Sequence, residues 1–281
     1  MNPAAARVLL TGATGGIGQA MARALASAGA SVLLSGRSSA RLRALHRELP
    51  RRPGRRTDVA WQAADLADPV AVEELACAAV EWKANVLVNA AGTPAFGRLE
   101  STDPAEVARV MQTNLVAPIL LTRAMLPWFR TLPVAQVIQV GSVLGRLGLP
   151  GYSIYGASKF GLRGFAEALR RELAGTRVKV QYLGPRSTRT DFNTAAVLDF
   201  NRATGTRMDD PDRVAAAMLR LLETEAPERF LGFPEALAAR LNGLAPVMLD
   251  RGFRRHGRSL PDAGERKAMP DDAPPGDPRP A

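Results

Sequence analysis

The chain has 281 residues, 46% of them hydrophobic and 23% charged, and its formal net charge is +10 with neutral histidines. No stretch reaches the roughly 18 consecutive apolar residues of a membrane span, and the composition excludes wholesale disorder. The single Cys77 excludes an intrachain disulfide framework and any multi-cysteine zinc site, and the N-terminal MNPAAARVLL lacks the layout of a signal peptide. We therefore expect a globular, cytoplasmic protein without a metal site.

Short apolar runs alternate with helical stretches along most of the chain. The runs lack polar alternation and therefore predict buried parallel strands, at residues 8–11, 31–35, 59–62, 86–89, 134–140 and 178–183. Between them, apolar residues three and four apart predict helices over 16–28, 69–82, 104–129 and 155–173. The alternation predicts an α/β fold with a doubly wound, mostly parallel sheet.

The regularity decreases after about residue 190. Residues 190–210 predict short helices and a connection, residues 211–224 a further helix, and residues 229–232 a last short strand. This strand would be the seventh of the sheet.

The C-terminal part divides into two further segments. Leu237, Leu241, Leu244 and Met248 recur at spacings of four, three and four, which predicts an amphipathic helix over 235–249 with one apolar face, interrupted by Gly243 and Pro246. We expect a main domain over 1–232, this helix with a basic segment over 233–259, and a disordered tail rich in proline and aspartate over 260–281.

A glycine-rich turn, TGATGGIG, ends the first predicted strand and leads directly into a helix. Glycine lets the backbone approach a pyrophosphate, whose charge is stabilised by the amides at the helix N-terminus. The glycines fit TGxxxGxG through Gly12, Gly16 and Gly18, and also TGxxGxxG through Gly12, Gly15 and Gly18. The turn therefore predicts a dinucleotide site without selecting a subclass.

The second predicted strand ends at Arg37, where an acidic residue would bind the free ribose hydroxyl of NAD(H). A guanidinium can instead pair with a 2′-phosphate. Arg37 therefore favours NADP(H), the alternative being a surface arginine in an arginine-rich chain.

Tyr155 and Lys159 are four residues apart and share one helix face. A nearby ammonium stabilises a phenolate, which suits the tyrosine for proton transfer. Ser142 follows a predicted strand, at the sheet edge where ligands bind, and could bond a substrate oxygen. Asn114 could hold a water beside a lysine, or be a buried amide bonded to the backbone.

Taken together, these features resemble the short-chain dehydrogenase/reductase family over about residues 5–232. Further matches are Asp65 after the third strand and NAAG at 89–92, where the family has NNAG. The resemblance implies a doubly wound Rossmann fold, a small-molecule carbonyl or alcohol substrate and a homodimer or homotetramer.

The resemblance also implies residue roles. Tyr155 would be the general acid or base, Lys159 would bind the nicotinamide ribose, Ser142 would orient the substrate oxygen, and Asn114 would support a relay water. The cofactor residues would be Gly12, Thr14, Gly15, Gly16, Ile17, Gly18, Arg37, Ser38, Asp65, Leu66, Asn89, Ala90, Ala91, Gly92, Tyr155, Lys159, Pro185, Thr188 and Thr190.

The chain departs from the family pattern at Arg186, which replaces the glycine of PGxVxT. Its charge suggests an anionic group on the substrate, or else a charged rim. The predicted substrate residues are Ser142, Leu144, Tyr152, Arg186 and Phe192, and with Phe200 they suggest an apolar or lipid-like substrate.

The excess positive charge forms two patches, at residues 37–56 and 251–258. The arginines lack interleaved aromatic residues, so nucleic acid is not an expected partner. The second patch follows the amphipathic helix and suggests peripheral contact with the inner face of a membrane. Two rival functions are a nucleotide-sugar epimerase or dehydratase, which would need a larger C-terminal domain, and a non-catalytic NADP(H) sensor.

Overall fold

A computed structural model describes residues 1–50, 58–233 and 235–261 of the protein. Its centre is a seven-stranded sheet of order β3-β2-β1-β4-β5-β6-β7, in which every neighbouring pair is parallel. The strands are β1 (Arg7–Leu10), β2 (Ser31–Gly36), β3 (Val59–Ala63), β4 (Val86–Asn89), β5 (Ala135–Val140), β6 (Val178–Gly184) and β7 (Glu228–Phe230). The predicted doubly wound α/β Rossmann fold is confirmed.

Helices cover both faces of the sheet. The first eight are α1 (Gly16–Ser27), α2 (Ser39–Glu48), α3 (Pro69–Glu81), α4 (Pro104–Met111), α5 (Ala117–Thr131), α6 (Ser153–Glu172), α7 (Ala195–Thr204) and α8 (Pro211–Thr224). One buried core lies between the sheet and α1, α2 and α8, and the other between the sheet and α3, α5 and α6. Nonpolar strands buried on both sides explain why the sequence shows apolar runs instead of alternation.

Three short helices follow the last strand: α9 (Glu235–Asn242), α10 (Pro246–Leu249) and α11 (Arg254–Arg258). The helical stretch over 235–249 is interrupted between Asn242 and Pro246, at the predicted place, because a glycine and a proline there disfavour helix. The arginine cluster at residues 51–56 and the predicted tail from residue 262 onward lie outside the described residues. In the part of the chain that is described, no helix is long and apolar enough to cross a membrane.

The predicted single helix over 104–129 differs from the structure at its centre. A π-helical turn, Gln112–Val116, separates α4 from α5, and the buried Asn114 lies within it. A π-turn inserts one residue into the helical ladder and frequently marks a functional site. The strand order also reverses beside β1, between β1 and β4, which opens a crevice at the carboxyl ends of the strands.

Candidate active site

A cleft of about 1040 Å³ occupies this crevice. Its walls come from the segments that follow β1 to β6, from the start of α6 and from the segment after β7. Most of the predicted site residues line it, although they are far apart in sequence. The cleft has a nucleotide end at the glycine turn and an aromatic end near α7 and α11.

The glycine turn brings the backbones of β1, α1 and the β4 loop into close contact. Gly12 has a φ of +65°, and a Cβ atom there would lie 2.6 Å from the Cα atom of Ala91. The N-cap residue Gly15 provides no side-chain hydrogen bond, so the first amides of α1 keep their capacity to bind an anion. This cradle fits a pyrophosphate.

Two arginines line the nucleotide end of the cleft. Arg37 lines the cleft just after β2, as predicted. Arg41, in the first turn of α2, also lines it. The Arg41 guanidinium donates a hydrogen bond to the Thr14 carbonyl at 2.9 Å, which fixes it beside the glycine turn. Arg41 was not predicted as a site residue, because the sequence shows it only as one of several arginines in a basic segment.

The other predicted nucleotide residues divide into two groups. Those lining the cleft are Thr14, Gly16, Ile17, Gly18, Asp65, Leu66, Ala90, Ala91, Gly92, Pro185, Thr188 and Thr190. Ser38 is instead the N-cap of α2, and its hydroxyl accepts the Arg41 N–H at 3.3 Å. Its predicted role at the cofactor therefore has no support from the lining of the cleft.

Asn89 itself also does not line the cleft, although the residues that follow it do. Asn89 is 2% exposed, and its amide donates hydrogen bonds to Gln139 at 3.1 Å and to Thr122 at 3.4 Å. The next residues of the loop turn the backbone toward the cleft, and Ala90, Ala91 and Gly92 line it. Asn89 therefore links β4 to β5 and α5 behind the cleft, through its bonds to Gln139 and Thr122.

Tyr155, Lys159 and Ser142 meet in the middle of the cleft. The Lys159 Nζ atom lies 5.7 Å from the centroid of the Tyr155 ring and donates a hydrogen bond to the Val140 carbonyl at 3.2 Å. The Ser142 hydroxyl accepts the Leu144 N–H at 3.1 Å, which leaves its own proton for donation. Three of the four predicted catalytic residues are therefore brought together by α6 and the end of β5.

Burial sets the electrostatics of this group. It lowers the pKa of Lys159 to about 8, so that the ammonium still predominates at neutral pH. Burial raises the pKa of the Tyr155 phenol, and hydrogen bonding with Ser142 offsets part of this rise. A phenolate at Tyr155 consequently needs positive charge beside it.

Asn114 is fully buried and does not line the cleft. Its amide donates to the Thr93 carbonyl at 3.0 Å and to the Ser158 hydroxyl at 3.2 Å, and its Oδ1 atom accepts the Thr93 N–H at 2.7 Å. Both amide hydrogens are thus used within the protein, which matches the buried-amide alternative. Asn114 fixes the loop after β4 next to Lys159.

Arg186 lines the cleft, but its charge is balanced. Its guanidinium bonds Asp209 at 2.7 Å and Glu235 at 3.2 Å, and its side chain is 9% exposed. The two carboxylates satisfy the cation without a substrate anion. The suggested anionic substrate group is therefore not supported, and Arg186 instead ties the end of β6 to the start of α9.

We expect Arg186→Ala to lower the free energy of unfolding by about 3 kcal/mol, because it leaves the buried Asp209 with one arginine instead of two. Thermal unfolding would show Tm lowered by about 5–10 °C. Arg213→Ala is the matched control, since Arg213 also bonds Asp209, at 2.9 Å, from a side chain that is 59% exposed. Equal losses for both variants would contradict this account.

Aromatic rings form the far end of the cleft. Phe96 lies 4.9 Å from Tyr152 and 5.0 Å from Phe200 between ring centroids, and Phe200 lies 5.8 Å from His256. The predicted Leu144 and Phe192 also line the cleft, and Phe192 packs 6.0 Å from Tyr155. Phe96 and His256 could not be predicted as lining residues, because neither belongs to a motif.

The chain is similar to known proteins over most of its length. The short chain dehydrogenase family model matches residues 6–199. Dehydrogenase/reductase SDR family member 7B from Bos taurus is 33% identical over 257 residues, covering 87% of this chain and 79% of the bovine protein.

Two solved structures extend this similarity. A metagenomic short-chain oxidoreductase in complex with NADP is 31% identical, with a TM-score of 0.66 over 80% of this chain and 96% of that chain. A short-chain dehydrogenase from Sphingobium yanoikuyae in complex with NADPH is 26% identical, with a TM-score of 0.75 over 94% of this chain and 98% of that chain.

Proposed function

The chain belongs to the short-chain dehydrogenase/reductase family, and on that premise we propose that it is an NADP(H)-dependent oxidoreductase interconverting a carbonyl compound and an alcohol. The observation that carries this proposal is the meeting of Tyr155, Ser142 and Lys159 within the cleft that begins at the glycine turn. A nucleotide-binding sensor would have no need of a half-buried tyrosine beside a buried lysine.

The nucleotide end of the cleft suits a phosphorylated dinucleotide. The amides of the glycine turn would hold the pyrophosphate, and Arg37 and Arg41 would bind the 2′-phosphate. Lys159 would bind the nicotinamide ribose. When bound, the cofactor supplies the hydride. Because similar structures are solved with NADP, NADPH and NAD, the choice of NADP(H) over NAD(H) rests on Arg37 and Arg41.

The chain's own residues donate the proton and stabilise the charge that its transfer leaves. In the reducing direction, Tyr155 donates its phenolic proton to the substrate oxygen, while Ser142 donates a hydrogen bond to the same oxygen. Lys159 stabilises the resulting phenolate by its charge, which counters the raised pKa that burial gives Tyr155. Asn114 keeps the loop at Thr93 in place beside this group.

The aromatic end favours an apolar substrate, lipid-like or aromatic. Its wall is built from Phe96, Tyr152, Phe192 and Phe200, and the guanidinium of Arg186 beside it is paired with carboxylates. Burial of apolar area against such a wall contributes roughly 25 cal/mol per Å². Small charged carbonyl compounds would bury little apolar area there and would gain little binding free energy from it.

A panel of carbonyl compounds assayed with NADPH and NADH in parallel tests the proposal. We expect NADPH oxidation with long-chain or aromatic aldehydes and ketones, and little with short polar ones. Absence of turnover with cofactor still bound would favour the sensor. Conversion of a nucleotide sugar without net NADPH use would favour the epimerase.

We also propose that the segment after β7 contacts an anionic membrane, with residues 1–232 as the catalytic domain and 233–259 as the docking segment. Leu244, Val247 and Met248 are 78–85% exposed within five residues of chain. Arginines follow at once in α11, and within the described residues Arg254 and Arg258 have no acidic partner. The apolar side chains would insert between lipids, and the arginines would bind anionic headgroups. This combination fits the inner face of a membrane, which carries anionic lipids.

Cosedimentation with phosphatidylserine vesicles tests this contact. We expect Leu244→Glu to weaken binding about tenfold, because it removes apolar burial and adds like charge to the lipid. Val70→Glu is the matched control, since Val70 is 64% exposed on the distant α3. Equal binding by both variants would contradict the proposal. Loss of a dimer in Leu244→Glu would assign the surface to a second copy of the chain.

A homodimer or homotetramer would use the long helices α4, α5 and α6. Phe160 on α6 is 42% exposed and Val116, between α4 and α5, is 36% exposed, so both offer apolar contact outside the cores. Light scattering after size exclusion should give a mass of two or four chains. A monomer at micromolar concentration would contradict this proposal.

A further inference from the structure

A tyrosine behind the cleft bonds both backbone groups of Ser142. Tyr182 lies on β6 and is 1% exposed. Its hydroxyl oxygen accepts a hydrogen bond from the Ser142 N–H at 3.0 Å and donates one to the Ser142 carbonyl at 2.9 Å. The function proposed above makes no use of this phenol.

Gly141 and Gly145 make the space that this phenol needs. A Cβ atom at Gly141 would lie 2.0 Å from the Tyr182 hydroxyl oxygen, and one at Gly145 would lie 2.1 Å from it. Interiors are packed too closely to absorb such overlaps, so neither position accepts a side chain while Tyr182 keeps its place. The Tyr182 hydroxyl therefore occupies, next to Ser142, the space that side chains at Gly141 and Gly145 would fill.

Ser142 depends on Tyr182 more than its neighbours do. The N–H groups of Gly141 and Val143 donate to the carbonyls of Leu183 and Pro185, each at 2.8 Å, so the β6 backbone holds them directly. Without the Tyr182 hydroxyl, the buried Ser142 N–H would lose its partner. The Ser142 carbonyl would keep the Gly145 N–H at 3.0 Å.

We propose that Tyr182 is a positioning residue that acts through Ser142. By fixing the serine backbone, it holds the Ser142 Oγ atom where the substrate oxygen meets Tyr155. The inference rests on the proposed function, because it gives Ser142 a part in the reaction. A displacement of about 1 Å at a reacting group can cost about 10²-fold in rate.

A double-mutant cycle tests the proposal by measuring kcat and KM. Tyr182→Phe should lower kcat about 10- to 100-fold and leave the KM for NADPH within about threefold. In the Ser142→Ala background the same change should cost less than about threefold, because the hydroxyl through which Tyr182 acts is gone. Equal losses in both backgrounds, or no loss in the first, would overturn the proposal.

Phe230→Leu is the packing control, since Phe230 lies 5.7 Å from the Tyr182 ring and outside the cleft. It should change kcat less than about threefold in either background. If Tyr182→Phe does not fold, Tyr182→3-fluorotyrosine replaces it in the cycle, because fluorine makes the phenol oxygen a weaker acceptor for the Ser142 N–H without removing that oxygen. The same pattern of unequal losses is then expected.

Hydrogen exchange separates failure of this inference from failure of the proposed function, because it needs no substrate. Exchange in peptides covering residues 141–147 should become faster in Tyr182→Phe than in Phe230→Leu. Unchanged exchange in Tyr182→Phe would overturn the positioning role, whether or not the chain reduces a carbonyl compound. Faster exchange in a chain without reductase activity would overturn the proposed function alone.

Discussion

Tyr155→Phe is expected to lower kcat by about 10²–10⁴-fold, the range that a positioned proton donor contributes. The phenylalanine keeps the ring contact with Phe192, so the cleft keeps its shape and loses only the proton. NADPH binding should stay within about threefold, because the glycine turn and the two arginines lie at the other end of the cleft. Steady-state kinetics and NADPH fluorescence titration measure the two effects.

Ser153→Ala is the control for this variant. Ser153 is an exposed hydroxyl two residues away on α6, and it does not line the cleft. We expect its kcat to stay within about twofold of the wild type. If Tyr155→Phe retained more than about a tenth of wild-type turnover, another group would have to donate the proton.

Arg37→Asp is expected to lower the ratio of kcat/KM for NADPH to that for NADH by at least about 10²-fold. A hydrogen bond to a charged group contributes about 1.5–3 kcal/mol, which corresponds to about 10- to 100-fold. The introduced carboxylate also repels the 2′-phosphate and can accept the ribose hydroxyl of NADH. Parallel kinetics with the two cofactors give the ratio.

Arg43→Asp changes the net charge equally and serves as the control. Arg43 is exposed on α2, and its guanidinium bonds the Ser39 carbonyl at 3.4 Å instead of lining the cleft. Its cofactor ratio should change less than about threefold. An equal shift in both variants would mean that the general field of the arginines, and no specific contact, selects the cofactor.

The sheet could be predicted from the sequence because its strands are short and buried on both faces. Val86–Asn89 is found at the predicted residues, and the other strands end within about two residues of the prediction. The π-turn at Asn114 was missed, since local apolar spacing continues through it. The helix α2 was also missed, because its arginine-rich composition indicates charge more strongly than helix.

The site could be predicted where a motif fixes both residue type and spacing. Tyr155 and Lys159 are one helical turn apart, so a single helix places them. The ion pairs of Arg186 could not be predicted, because its partners, Asp209 and Glu235, are 23 and 49 residues away in sequence. Tyr182 had no local signal at all, since only the fold brings its hydroxyl under Ser142.

The central claim is hydride transfer from NADPH to a carbonyl carbon with proton donation by Tyr155. Its most direct test is a single turnover with NADPH deuterated at the transferable position, followed by mass spectrometry of the alcohol. We expect one deuterium at the carbinol carbon with the wild-type protein, and no labelled alcohol on the same timescale with Tyr155→Phe. An unlabelled alcohol, or equal labelling by both proteins, would contradict the claim.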